Sequence, residues 1–462
     1  MTDWPGQTIS DLAAALTRGE TTSVALTEQC LERIATLNPR LNAFITVTGD
    51  RALAAAHEAD RARSAGHRGS ALHGIPVSLK DLIDEAGIVT TAGSRVRMGR
   101  VAAADATVTT RLRQAGAVLV GKTNLHEFAF GTTNEDSGFG ATRHPLDDTR
   151  VTGGSSGGSA SAVATGMSIA SIGTDTGGSI RIPAAACGVV GLKPGWGEIP
   201  DDGVVPLSRQ LDHVGPLARS VADAWLVYEA LAGRPPAADA RLEPRPVASA
   251  RFGLLRGFFA ERLDPEVEAA FDAAVETLRR AGATVEPVEI AHAHDISPVY
   301  LHLVLADAAA YHAETLERRP DDYTPNVRIR LEMGRYVLAE DYVRALGGRE
   351  IIAREIEAAL AGRDALLCPT MPVPAPALGA TLVAVGATSE PVRTAMFRLT
   401  QPFNVGRQPA LTVPCGHAAS TGLPVGLQLV GASGNTAGLL ATGLSVERAL
   451  ARTAARAEAR YR

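Results

Sequence analysis

Gly173-Thr174-Asp175-Thr176-Gly177-Gly178-Ser179 ends a stretch, 168–174, that reads as a short buried strand, and an apolar segment at 187–192 follows it. Glycine-rich chain inserted between core segments is a built turn, because a flexible linker would not alternate with Ser168-Ile-Ala-Ser-Ile and Cys187-Gly-Val-Val. Two adjacent glycines lack the Cβ that keeps backbones apart and accept positive φ. Such a turn can aim several N–H groups at one developing charge. Ser179 beside it is a candidate nucleophile. A second glycine-dense run, Gly153-Gly154-Ser155-Ser156-Gly157-Gly158-Ser159, lies upstream, and before it comes His73-Gly-Ile-Pro-Val-Ser-Leu-Lys80-Asp81. There Ile75, Val77 and Leu79 alternate with Ser78 and Lys80, the period of a strand that shows Ser78 and Lys80 on one face. A lysine that ends a strand is ordinarily a solvated tip. Only the company of the two serines turns Lys80 into a candidate base.

Outward from these runs, helices are predicted at 10–36 and 50–65, with Ser10 and Thr22 or Ser23 as caps. A helix is predicted at 105–115, a buried strand at 116–121, the start of a helix at 123–128, and a helix of small side chains at 157–166. Beyond residue 250, strand-like pieces at 252–256, 284–290, 365–369, 410–414 and 425–430 alternate with helical stretches at 265–281, 297–315, 339–361 and 436–456. This alternation predicts an α/β layer fold. The Pro- and Ala-rich segment 233–250 reads as a surface loop rather than a linker, since the strands after it would otherwise lack a sheet to join. The chain, 1–462, is thus expected to be a single domain.

Composition removes several function classes. With 45 basic and 50 acidic residues and no basic stripe, nothing points to a nucleic-acid partner. No apolar run is long enough to span a bilayer, and Met1 to Gly6 shows no leader pattern. Cys30, Cys187, Cys368 and Cys415 are far apart without a CxxC pair, which fits reduced thiols in a cytoplasmic protein. Cys187 reads as a packed core thiol. No metal set is recognised: His126-Glu127 lacks the second histidine of a zincin, and His292-Ala-His294-Asp295 reads as a solvated loop. Gly116-Ala-Val-Leu-Val-Gly121-Lys122-Thr123 matches the phosphate-loop pattern by letter, yet its middle is strand material. Gly153-Gly-Ser155-Ser-Gly157 matches the nucleophile-elbow pattern, but the preceding His144 to Arg150 is turn-like rather than a strand, and His213, His312 and His417 have no distinctive context.

Taken together, Gly74 to Asp81, Gly121-Lys-Thr-Asn-Leu-His-Glu-Phe128, Gly153 to Ser159, Gly173 to Pro183 and Cys187 to Pro194 resemble the amidase signature family. The resemblance runs from about residue 70 to 230 and more weakly over 400–431. It implies a large single-domain fold, a twisted mixed β-sheet covered by helices on both faces. It also implies a Ser–cis-Ser–Lys triad: Ser179 as nucleophile and site of the acyl-enzyme, Ser155 after a cis peptide as proton relay, and Lys80 as general base. The backbone N–H groups of Thr176, Gly177, Gly178 and Ser179 would form the oxyanion hole. A lysine amine ordinarily titrates near about 10.4, so this role demands that burial push it down. Val151-Thr152, Gly195-Trp196 and Leu146 depart from the family's usual residues without touching the triad.

The expectation is a cofactor-free, metal-free hydrolase of a small-molecule carboxylic amide, cytoplasmic, with a homodimer allowed. The rivals are a glutamine-hydrolysing A subunit of a tRNA-dependent amidotransferase, a member acting on carbamates, ureas or esters, and a catalytically dead scaffold. Phe128, Phe130, Trp196 and Tyr300 hint at an apolar acyl pocket. Arg328 or Arg330 could anchor a substrate carboxylate, although an exposed helix charge is the plainer reading of both.

Overall fold

The computed structural model describes residues 7–67 and 69–460. Met1 to Gly6, and the side chains of residues 453–462, lie outside the described residues. Thirteen strands follow in chain order. They are β1 (Phe44–Val47), β2 (Pro76–Lys80), β3 (Val118–Thr123), β4 (Ala170–Thr174), β5 (Val190–Lys193), β6 (Val214–Ala218) and β7 (Arg251–Leu255). Next come β8 (Thr284–Val288), β9 (Ala365–Pro369), β10 (Leu382–Val385), β11 (Thr388–Pro391), β12 (Ala410–His417) and β13 (Pro424–Val430).

Eleven of them form one sheet in the order β1-β3-β2-β4-β6-β5-β12-β13-β9-β7-β8, and β10 pairs with β11 in a separate hairpin. The sheet is mixed. Parallel pairs (β3/β2/β4 and β9/β7/β8) flank an antiparallel middle running from β4 through β6, β5, β12 and β13 to β9. Every residue of β2, β3, β4, β5, β6, β9 and β13 is buried, which requires helices on both faces of the sheet. Helices Gly49–Ser64, Val221–Leu231, Pro265–Arg280 and Thr436–Arg460 are among those that pack on it. No described helix is long and apolar enough to cross a membrane.

Several boundaries differ from expectation for definite reasons. The helix expected over 10–36 is two, Ile9–Arg18 and Ser23–Leu41, because Gly19 takes φ +71 and closes the first. Its cap is Thr8 rather than Ser10, in a capping box with Asp11, while Thr22 caps the second by accepting from the Ala25 N–H. No helix starts at 123. A single 3-10 turn, Glu127–Ala129, carries Phe128 and Ala129 at φ +51 and +59, and the Phe128 N–H donates to Ala92 O. The loop expected over 233–250 holds a 3-10 turn at Val247–Ser249 and a single antiparallel bridge from Ala237 to Ser70, and β7, β8 and β9 beyond it join the same sheet as β2 and β4. The letter match to a phosphate loop is β3. Its Lys122 Nζ lies 3.0 Å from Asp81 Oδ1, both fully buried, so that cation has an internal partner.

Candidate active site

Lys80 is the last residue of β2 and Thr174 the last of β4, and the two strands run side by side in parallel. Their ends therefore bring both side chains to one place. Lys80 is fully buried, unlike the solvated tip its position alone suggests. Its Nζ donates to Ser155 Oγ at 2.7 Å and to Thr174 Oγ1 at 2.9 Å. Burial pushes the amine from its ordinary 10.5 down to about 7, against the opposing pull of Asp175 and Asp212.

Ser155 follows a cis peptide bond from Gly154. Its turn is packed against the 132–134 loop so closely that a Cβ on Gly154 would fall 2.8 Å from Asn134 N. The Ser155 carbonyl accepts from the His126 N–H at 3.1 Å, and Asn134 Oδ1 accepts from the Gly157 N–H at 3.2 Å. Helix Gly157–Ala164 then leaves the site. Its small residues let neighbouring backbone in, since a Cβ on Gly158 would meet Asn124 O at 2.4 Å. The two serine turns are tied together by Ser156, whose N–H donates to Ser179 O at 3.1 Å and whose Oγ donates to Thr174 O at 3.2 Å.

The glycine turn before Ser179 is held by a carboxylate. Asp175 accepts from the N–H groups of Gly178 (2.8 Å) and Ile180 (3.1 Å) and from the side chain of Arg181, with contacts of 3.0 Å at Nε and 2.9 Å at Nη2. Burial opposes ionisation of Asp175, but the adjoining Arg181 guanidinium holds it well below the usual carboxylate range. Among the described residues, the N–H groups of Thr176, Gly177 and Ser179 have no acceptor, whereas that of Gly178 is engaged. So three of the four amides expected at the oxyanion position point to no internal partner.

Residues distant in sequence complete the support. Thr400 Oγ1 donates to Gly177 O at 2.6 Å, and the Arg181 Nη1 donates to Thr400 O and Gln428 Oε1. Asn404 Nδ2 donates to Asp175, and Thr176 Oγ1 donates to Asp212 Oδ1 at 2.6 Å. Burial lifts Asp212 to about 6 despite that bond. Asp175 and Arg181 flank Ser179 in the sequence, a local signal that could have found them. Thr400, Asn404 and Gln428 carry no local signal that ties them to it.

The aromatic hints divide. Tyr300 and Phe397 press on the turn, where a Cβ on Gly177 would lie 2.6 Å from Tyr300 Oη and 2.9 Å from Phe397 Cε1. Phe128 instead packs in the core against His312 and Tyr323, and Trp196 is exposed beneath Arg407, 3.8 Å from its ring centroid. His213 and His312 are buried, and burial lowers both imidazoles. Cys187 is a buried thiol pushed up by its apolar surroundings. Arg328 pairs with Asp321 and Glu332 at the surface. Arg330 is no exposed helix charge: it leans inward and donates to Phe130 O at 2.6 Å.

A family profile described as Amidase matches residues 25–440. The A subunit of the glutamyl-tRNA(Gln) amidotransferase of Chloroflexus aggregans is 40% identical, covering 97% of this chain and 97% of its own length. A crystal structure described as that of an amidase superposes with a TM-score of 0.90 at 39% identity, covering 96% of this chain and 100% of that one. The native peptide amidase of Stenotrophomonas maltophilia gives 0.83 at 33%, covering 97% and 98%. Matched by this family profile, and similar over nearly its whole length to these proteins, the chain belongs to the amidase signature family of amide-bond hydrolases.

Proposed function

We propose that the chain hydrolyses the C–N bond of a small carboxylic amide through an acyl-enzyme on Ser179. The observation that carries this reading is the fully buried Lys80 amine, 2.7 Å from Ser155 Oγ and titrating near 7. Neutral Lys80 takes the Ser155 proton as Ser155 takes that of Ser179, and the Ser179 Oγ adds to the carbonyl carbon. The oxygen that gains charge is met by the amides of Thr176, Gly177 and Ser179, with Gly178 serving to shape the turn. The proton returns through Ser155 to the departing nitrogen as the C–N bond breaks. Water then enters along the same relay and releases the acid. The whole chain works as one unit in this reading, since Lys80, bonded to Thr174, and Gln428, bonded to Arg181, hold the two ends of one turn.

A fluorophosphonate probe should label wild-type protein on Ser179, read by peptide mass spectrometry, while Ser179→Ala should take up no label and hydrolyse nothing. Labelling of wild type elsewhere, or turnover by Ser179→Ala, would overturn the assignment.

One observation favours a second reading. Relatives at 36–40% identity include glutamyl-tRNA(Gln) amidotransferase A subunits. If this chain works in that way, the isolated protein should release ammonia from glutamine weakly, and a co-purified partner should raise that rate. As a stand-alone amidase it should hydrolyse simple amides without one.

A further inference from the structure

Arg393 is unusual among the arginines near the site. It lies in the short helix Val392–Phe397, and its Nε and Nη2 are buried with no hydrogen-bond partner among the described residues. It forms no ion pair with any of them either. Its guanidinium lies between two aromatic walls, 5.7 Å from the Phe130 ring centroid and 5.2 Å from that of Phe397. Both walls lead to the reacting groups. Phe397 and Tyr300, 5.6 Å apart by centroids, press on Gly177. Phe130 precedes the 132–134 loop that packs on Gly154, next to Ser155.

A second cation faces the same ring. Arg330 lies 5.8 Å from the Phe130 centroid and uses Nη1 on the Phe130 carbonyl. The carboxylate it senses, Asp136, accepts from Asn326 Nδ2 at 3.1 Å, and His126 Nε2 lies 3.3 Å from it. Two guanidinium groups thus lie against the Phe130 ring, and neither forms an ion pair with a carboxylate of the described residues. Burial lowers both, and Arg330 falls to about 10 because Arg393 repels its proton as well. An unpaired buried charge is costly, and a planar fork of donors is the geometry that receives a carboxylate.

We propose that Arg393, with Arg330 beside it, binds a free carboxylate of the substrate, so that the preferred substrates are amides carrying a negative charge. This rests on the Ser179 hydrolase reading and narrows its substrate class. The walls Phe130, Tyr300 and Phe397 would cover the carbon chain between that carboxylate and the scissile amide.

The test uses pairs of substrates. Succinic and glutaric monoamides are each compared with the neutral amide in which an isopropyl group replaces the carboxylate. N-carboxymethyl amides with their neutral counterparts place the charge on the departing side. Wild type should favour the charged member of at least one pair. The charged-to-neutral ratio of kcat/KM should fall about 10- to 150-fold in Arg393→Met, chiefly through KM, which is the size of a lost charge-assisted contact. Arg393→Gln should fall similarly and Arg393→Lys less. Binding of the same monoamide to Ser179→Ala protein, read by calorimetry, removes chemistry from the question and should weaken when Arg393→Met is added. If wild type prefers the neutral members, or if the ratio and the binding are the same with and without Arg393 in folded variants, the proposal falls while Ser179 labelling stands. Loss of the labelling itself would remove the underlying hydrolase reading instead.

Discussion

A lysine becomes useful as a base only when the protein makes its charged form expensive. At Lys80 burial does this, and the hydroxyls of Ser155 and Thr174 supply hydrogen bonds without supplying a counter-charge. Because the amine must be neutral to accept a proton, kcat/KM should rise as pH increases through about 7 and level off above it. Lys80→Ala should lower kcat/KM by about 100- to 10,000-fold and remove that inflection. A pH–rate profile of Lys80→Ala that keeps the wild-type shape would dismiss lysine from the chemistry. Position 80 also shows why a single residue misleads. Its sequence neighbours suggest a strand end in water, whereas β3 and β4 on either side enclose it.

At the scale of an element, the turn from Thr174 to Arg181 is a rigid bracket rather than a loose glycine loop. Asp175 gathers the Gly178 and Ile180 amides, and Arg181 clamps that carboxylate while reaching Thr400 and Gln428. Removing one partner of a buried pair leaves the other charge unpaired, so Arg181→Met should cost about 3–5 kcal/mol of stability, measurable by urea unfolding. The turn itself tolerates no Cβ at 178, where φ is +140 and the new atom would lie 2.2 Å from Thr400 Oγ1. Gly178→Ala should therefore shift the Gly177 and Ser179 amides and lower kcat by about 100-fold, the scale of one lost oxyanion donor, with KM less affected. An unchanged kcat would show that this turn does not stabilise the transition state.

Across the whole molecule, the sheet brings β2 and β4 beside strands from the far end of the chain, and the C-terminal helix Thr436–Arg460 closes over Val221–Leu231. At that closure the Val221 N–H donates to Glu447 Oε1 at 3.0 Å, near Asp223, which accepts from the Ile9 N–H at 2.7 Å. Burial raises both carboxyls, Glu447 to about 7 and Asp223 to about 6. A carboxyl whose folded value lies above its unfolded one stabilises the fold at low pH, and this contribution is lost as pH rises through the folded value. Glu447→Gln keeps an acceptor for Val221 without the charge. It should raise Tm by about 2 °C at pH 8 and make little difference at pH 5. A uniform effect at both values would mean that the charge at 447 is not what costs stability.

Much of this can be read along the chain. The triad candidates, the α/β class and most strands beyond residue 250 announce themselves because glycine clusters, alternation and apolar runs are local signals. The break at Gly19 sits on a local signal, a glycine ahead of the Thr22 cap, but the bend at Phe128 cannot be read there, since positive φ at Phe128 and Ala129 is not advertised by those side chains. The partners of the glycine turn before Ser179, which are Thr400, Asn404 and Gln428, and the unpartnered guanidinium nitrogens of Arg393 become visible only in the folded chain. Their meaning lies in contacts across hundreds of residues, made where β4, β12 and β13 belong to one sheet, and no periodicity in the sequence records which distant side chains a buried charge will meet.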